Sequence, residues 1–209
     1  MRLSPSAFNA HLNVMGQSFG WRKAFACPCI NPNSGAAKPN CPHCLGKGRL
    51  WSASVDGKAG IIGRDALRDF ASFGVWDQGD IMLSIPSDSP LYQIGQYDRA
   101  MSTNRSEPFS INMTRGQNDI MRTPVLSVDR AFWLDSSNVI QEAGVPIVGA
   151  DGVLVWNTNA PPVGTTYSLT GRRRQEYFVY AEMPFDRPIH YGLTLPRRVV
   201  IRRFDLYGK

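Results

Sequence analysis

Apolar side chains recur at helical spacing most clearly at the start of the chain. Phe8, Leu12, Met15 and Phe19 follow one another at offsets of four, seven and eleven in SPSAFNAHLNVMGQSF, so an amphipathic helix is expected over residues 4–19. Ser4 suits its N-cap and Pro5 its first turn, where no amide partner is lost. A helix this short is expected to pack on the body or on a neighbouring subunit. A second helix is expected around Arg64 to Phe73, with Leu67, Phe70 and Phe73 on one face.

From Asp80 onward the spacing changes. IMLSI, AFWL, VPIV, VLVW, TTYSL, EYFVYAEM and VVIRRF are short apolar or alternating runs bounded by Gly, Pro, Asn and Asp, which is the signature of strands separated by turns. Gly149 to Gly152 is expected to turn one hairpin, and Thr170-Gly171-Arg172 a second that returns at Glu176-Tyr177-Phe178. Residues 87–97 and 101–117 read as long loops, the latter unless the run around Phe109-Ser110-Ile111 is an additional hairpin. The fold class that follows is mainly β: a barrel or sandwich body, a short N-terminal helix and a small four-cysteine zinc knuckle. Residues 1–55 are expected to hold the helix and knuckle, and residues 56–209 the β-rich body.

Composition narrows the class. The chain has 209 residues, 43% hydrophobic and 19% charged, enough to bury roughly 70% of its unfolded surface in a core of its own. Fifteen prolines and nineteen glycines, mostly between the apolar runs, suit a barrel or sandwich better than a helical bundle. No run approaches the ~20 apolar residues that span a bilayer. No signal-peptide core precedes Cys27, so synthesis in the cytosol and no membrane partner are expected. The net charge of +6 draws partly on Arg172-Arg173-Arg174, a cluster suited to phosphates or to an acidic protein face.

All four cysteines lie between residues 27 and 44, spaced C-x-C, eleven residues, C-x-x-C. Thiolates are soft ligands, and Cys27, Cys29, Cys41 and Cys44 can complete a tetrahedral Zn²⁺ shell at ~2.3 Å per bond. The second half, CPHCLGKG, matches the C-x-x-C-x-G-x-G unit of zinc knuckles, whose glycines permit tight turning and free backbone amides to point at sulfur. Disulfides are the alternative if the chain reaches an oxidising compartment. An iron–sulfur cluster fits the spacing less well. A structural ion would support a segment with few apolar side chains of its own.

Catalytic patterns are missing from the sequence. His11, His43 and His190 stand apart, and there is no nucleophile elbow, metalloprotease helix or phosphate loop. Asp77, Asp80, Asp88 and Asp98 are expected to serve turns and caps. The chain is therefore expected not to be an enzyme.

The N-terminal helix, the thiolate knuckle, SIPSDSPLYQIGQYDRAM (84–101) and PPVGTTYSLTGRRRQEYFVY (161–180) together resemble neck proteins of tailed bacteriophages. The resemblance implies a structural virion protein, forming a self-associated ring of roughly six- or twelve-fold symmetry between the portal or adaptor and the tail. Trp21, Trp51, Trp76, Tyr92, Tyr97 and Trp133 would fill contacts in the core or between subunits. Arg172, Arg173 and Arg174, placed at a hairpin tip, would touch genomic DNA or an acidic neighbour. A zinc-knuckle nucleic-acid-binding protein and a tail or baseplate subunit are the alternative readings.

Overall fold

The alternating apolar runs do form strands in the computed structural model, which describes residues 4–62, 79–117, 119–182, 189–190 and 192–207. The helix expected around Arg64 to Phe73, with Trp76 and Asp77, lies outside the described residues. In chain order, α1 (Pro5–Met15) leads into β1 (Gln17–Arg22), β2 (Ala24–Ala26), β3 (Arg49–Trp51), β4 (Val55–Ile61) and β5 (Ile81–Ile85). Next come β6 (Arg99–Thr114), β7 (Val125–Leu134), β8 (Ile140–Glu142), β9 (Ile147–Val148) and β10 (Leu154–Val155). The chain ends with β11 (Thr166–Glu182), β12 (Ile189–His190), β13 (Leu193–Thr194) and β14 (Arg197–Arg203).

Packing divides the chain into two compact units, residues 1–104 with 176–209, and residues 105–175. The long strands β6 and β11 each contribute residues to both. These lines differ from the chemical division drawn at residues 55 and 56, which falls at the first residue of β4.

The first unit is built on a closed six-stranded barrel. Its ring runs β14-β5-β4-β1-β6-β11, and β11 closes it by pairing antiparallel with β14. Closure removes the free edges that an open sheet of this size would present. Phe19, Leu83, Ile85, Ala100, Val179, Val199 and Ile201 fill its core with Leu91 and Ile94 from the loop after β5. That loop, 87–97, carries a short 3-10 turn over Pro90–Gln93.

A buried carboxylate stitches this barrel together. Asp98 is 3% exposed. Its Oδ2 accepts the Trp21 indole N–H at 2.8 Å and the Gly95 N–H at 2.9 Å, and its Oδ1 accepts the Ala24 N–H at 2.6 Å. The backbone on either side, Tyr97 and Asp98, exchanges bonds with Val179 of β11. The acidic side chain expected to serve a turn therefore does so for Gly95 and also joins two further elements. Asp80 has a comparable use, as both of its oxygens take the Arg202 guanidinium at 2.7 and 2.9 Å.

Three sequence expectations are corrected. The helix stops at Met15, because Gly16 turns the chain into β1 and Phe19 becomes a strand residue. Only Asn9 and Leu12 of the helix are buried. Asn9 bonds Ser87 on the body, and Ser4, though placed at the cap, makes no capping bond. Residues 101–117, left open between a loop and strand structure around Phe109-Ser110-Ile111, are mostly the strand β6. Finally, Thr170 to Arg172 is no hairpin: β11 runs straight through it for 17 residues. Gly171 marks a bulge against β7, where a Cβ would come within 2.1 Å of the Ser127 carbonyl oxygen. A glycine that reads as a turn is required here by close backbone approach.

The second unit is a sheet of the remaining lengths of β6 and β11 with β7 and β8, joined by the β9–β10 hairpin. The Gly149 to Gly152 turn is as expected. Phe109, Met113, Met121, Ala131, Leu154, Tyr167 and Leu169 form its core.

Replacing Asp98 by alanine strands three donors, one of them a buried indole N–H, and is expected to lower stability by about 2–4 kcal/mol. Asp88→Ala, which loses one exposed contact to Asn13, should change it by less than about 0.5 kcal/mol. Thermal or denaturant unfolding of the two variants checks the difference.

Candidate metal centre

The knuckle leaves and re-enters the first unit through a two-stranded stem. β2 and β3 pair antiparallel, with Ala24 opposite Trp51 and Ala26 opposite Arg49. One step beyond the stem the Cys27 N–H donates to the Gly48 carbonyl at 2.9 Å. Between these points two turns present two sulfurs each. The Cys27 to Cys29 turn is held by the Ile30 N–H on the Cys27 carbonyl. Asn31 steadies the residues that follow, through its side-chain oxygen on the Asn33 and Ser34 N–H groups. The Cys41 to Cys44 turn is held by the Leu45 N–H on the Cys41 carbonyl and the Lys47 N–H on the Cys44 carbonyl. Leu45 and Gly46 follow with positive φ of 53° and 80°. Gly46 is needed in that conformation because a side chain there would strain the turn and crowd the Pro39 carbonyl at 3.0 Å.

These turns bring all four sulfurs within 4.8 Å of one another. Cys27 and Cys41 are 3.8 Å apart and Cys29 and Cys44 are 3.4 Å apart. A tetrahedron of sulfur around a metal at ~2.3 Å has edges of about 3.8 Å, whereas a disulfide requires about 2.05 Å. All four thiols are free. The donor set therefore fits a divalent metal ion bound by Cys27, Cys29, Cys41 and Cys44. His43 is exposed and stands outside the cluster.

Local electrostatics separate the thiols. Backbone hydrogen bonds from Cys44 and then His43 pull Cys41 down to about 6. Burial pushes Cys29 up to about 12. The cluster thus carries a thiolate readily at one position and resists it at another, and a cation is what would let all four ionise together. Four sulfurs fill a tetrahedral shell, so such an ion has no open position for substrate and serves the fold.

At the stem lies a seat of aromatic rings and cations, of which the sequence singled out Trp51 and Tyr97 as contact residues but not their partners Lys47, Arg49, Arg99, Phe204 and Tyr207. Trp51 meets Phe204 edge-on at 5.4 Å and Tyr207 at 6.0 Å, and its indole N–H donates to the Tyr97 carbonyl at 3.1 Å. Lys47 sits 4.9 Å over Phe204, Arg49 4.4 Å over Tyr97, and Arg99 3.8 Å over Phe204 while pairing with Glu176 at 2.5 Å. Each such cation contact contributes on the order of 0.5–2 kcal/mol. The interleaving of Arg202, Arg203, Phe204 and Tyr207 near the C-terminus was the available signal.

The other predicted site residues are placed differently. Arg172, Arg173 and Arg174 lie in the middle of β11, not at a hairpin tip. Arg172 donates to the Ser106 hydroxyl at 2.8 and 3.0 Å, and Arg173 pairs with Glu107 at 2.8 Å. The Arg174 N–H donates to the Pro124 carbonyl. No described helix is long and apolar enough to cross a membrane.

Cys44→Ser is expected to speed amide exchange across residues 27–48 by about 100-fold or more while β5 and β14 stay protected. The pH sign follows from Cys41: its thiolate is present above about 6 and is lost as pH falls through that value. Metal uptake at neutral pH should release protons from thiols that burial keeps protonated, Cys29 among them, and should weaken on acidification as Cys41 is protonated too; competition with a colorimetric chelator at several pH values checks the affinity. Searches with models of known protein families and with curated protein sequences found no match to this chain.

Proposed function

We propose that this chain is a structural, non-enzymatic virion protein of a tailed bacteriophage, forming a ring in the neck between head and tail, with Zn²⁺ at the four-cysteine site. The observation that carries the proposal is a knuckle with a complete four-sulfur donor set, carried on a short stem by a closed barrel. A filled tetrahedral shell offers no catalytic position, and a barrel without free edges is suited to bearing load between neighbours. Zinc is favoured among the divalent ions because it accepts four thiolates in a tetrahedron without redox chemistry. The segments 84–101 and 161–180, which carry the resemblance, fall on β5 with the loop that follows it and on β11 with its approach. A tail or baseplate subunit would draw on the same features.

The nucleic-acid-binding reading is favoured by the net charge of +6. Against it, Arg172 and Arg173 are engaged by Ser106 and Glu107, which leaves them less available to phosphates.

The purified chain is expected to hold one equivalent of zinc and to give the intense visible absorption of a tetrahedral thiolate site when cobalt replaces it. It should join a symmetric ring, alone or on portal protein, in native mass spectrometry and electron microscopy of particles. Binding of DNA with a steep inverse dependence on salt, and no ring under any condition, would transfer the proposal to the nucleic-acid reading.

A further inference from the structure

Within the second unit, β6 has an edge that no described strand pairs with, beside a cavity. β1 pairs with β6 only over Arg99 to Ser102, and among the described residues no other strand takes up that edge beyond it. At the far end, Arg115 exchanges backbone bonds with Gly164 and Thr165, on the side of β11. Strand alternation then turns the backbone of Ser106, Pro108, Ser110 and Asn112 toward the open side. Pro108 agrees with this assignment, because a proline fits a sheet where its missing N–H faces outward. Pro108, Ser110 and Asn112 are exposed.

Beside Asn112 opens a cavity of about 490 Å³, within the size range of ligand sites. Ile111, Met113, Ile120 and Met121 give it apolar walls, and Arg122 and Arg173 add two cations. Arg173 is matched by Glu107. Arg122 is exposed and has no ion pair among the described residues.

We propose that this edge and cavity form a docking site for an extended segment of a partner protein, which adds as a strand along Ser110 and Asn112. Main-chain bonds would supply affinity, and alternate side chains entering the cavity would supply selectivity. An apolar side chain suits the methionine wall. An acidic one two residues away, on the same face of the added strand, complements Arg122. Pro108, which cannot donate, ends the ladder and fixes the register. The site is separate from the metal centre and does not depend on the neck assignment.

The probe is the peptide acetyl-Thr-Ile-Thr-Glu-Thr-amide, titrated into the full chain and followed by amide hydrogen exchange and NMR shifts. The Ser110 and Asn112 amides should exchange freely in the protein alone and slow when the peptide is added, while Ile111 and Met113 are protected throughout. Lysine in place of the peptide's glutamate should weaken binding by about tenfold or more, and Arg122→Glu should reverse that preference. The proposal is overturned if Ser110 and Asn112 are already protected without peptide, or if millimolar peptide leaves their exchange unchanged. Equal binding of the glutamate and lysine peptides overturns it as well.

Discussion

The carboxylate of Asp98 is the constraint on which the first unit turns. A buried charge is tolerated only when its lone pairs are taken up, and here an indole from β1, the backbone entering β2 and the loop before β6 each provide a donor. The same short segment bonds to Val179, where the register of β11 against β14 shifts. One polar group therefore sets where the knuckle stem departs and where the barrel closes. Apolar packing by Phe19, Val179 and Ile201 stabilises the ring without specifying these positions, since burial is not directional.

The knuckle depends on two kinds of chemistry that act at opposite ends. At its tip four sulfurs converge in a segment with little apolar material to bury, so a bound ion would supply the cohesion that the turns lack. At its base, rings and cations fix the stem against the C-terminal residues Phe204 and Tyr207. Glu176 balances Arg99, whose guanidinium burial pulls down in pKa and the carboxylate raises. The stem is fixed by ring and cation contacts at its base, and an ion at the four sulfurs would tie the tip as well.

What could be read from the sequence was what depends on near neighbours. The convergence of the four sulfurs was legible because each pair of cysteines sits within one turn, and the strands around Leu83, Phe132 and Val200 were legible because alternation is a local property. The β9–β10 hairpin followed from its own turn residues. Closure of the ring by β11 and β14 joins segments far apart in sequence and left no local mark. Strand β6 was hidden by Arg105, Glu107 and Pro108, polar and breaker residues that an open edge accepts and a central strand would not. Gly171 and the arginines after it look like a turn because glycine serves both tight bends and close backbone approach, and only the Ser127 carbonyl distinguishes the two. Helix and strand periods overlap at Phe19, so the end of α1 was set by Gly16 and not by the pattern.

The stem has a consequence for how such a chain can change over generations. Because the Cys27 N–H is hydrogen-bonded to the Gly48 carbonyl, everything between them departs from and returns to one point at the end of the β2–β3 stem. Loop closure grows only slowly in cost with length. Duplication, shortening or exchange of that interval would leave the β2–β3 pairing in place, though it would touch the Lys47 contact with Phe204 and Tyr207, so its length can change while the stem keeps its frame.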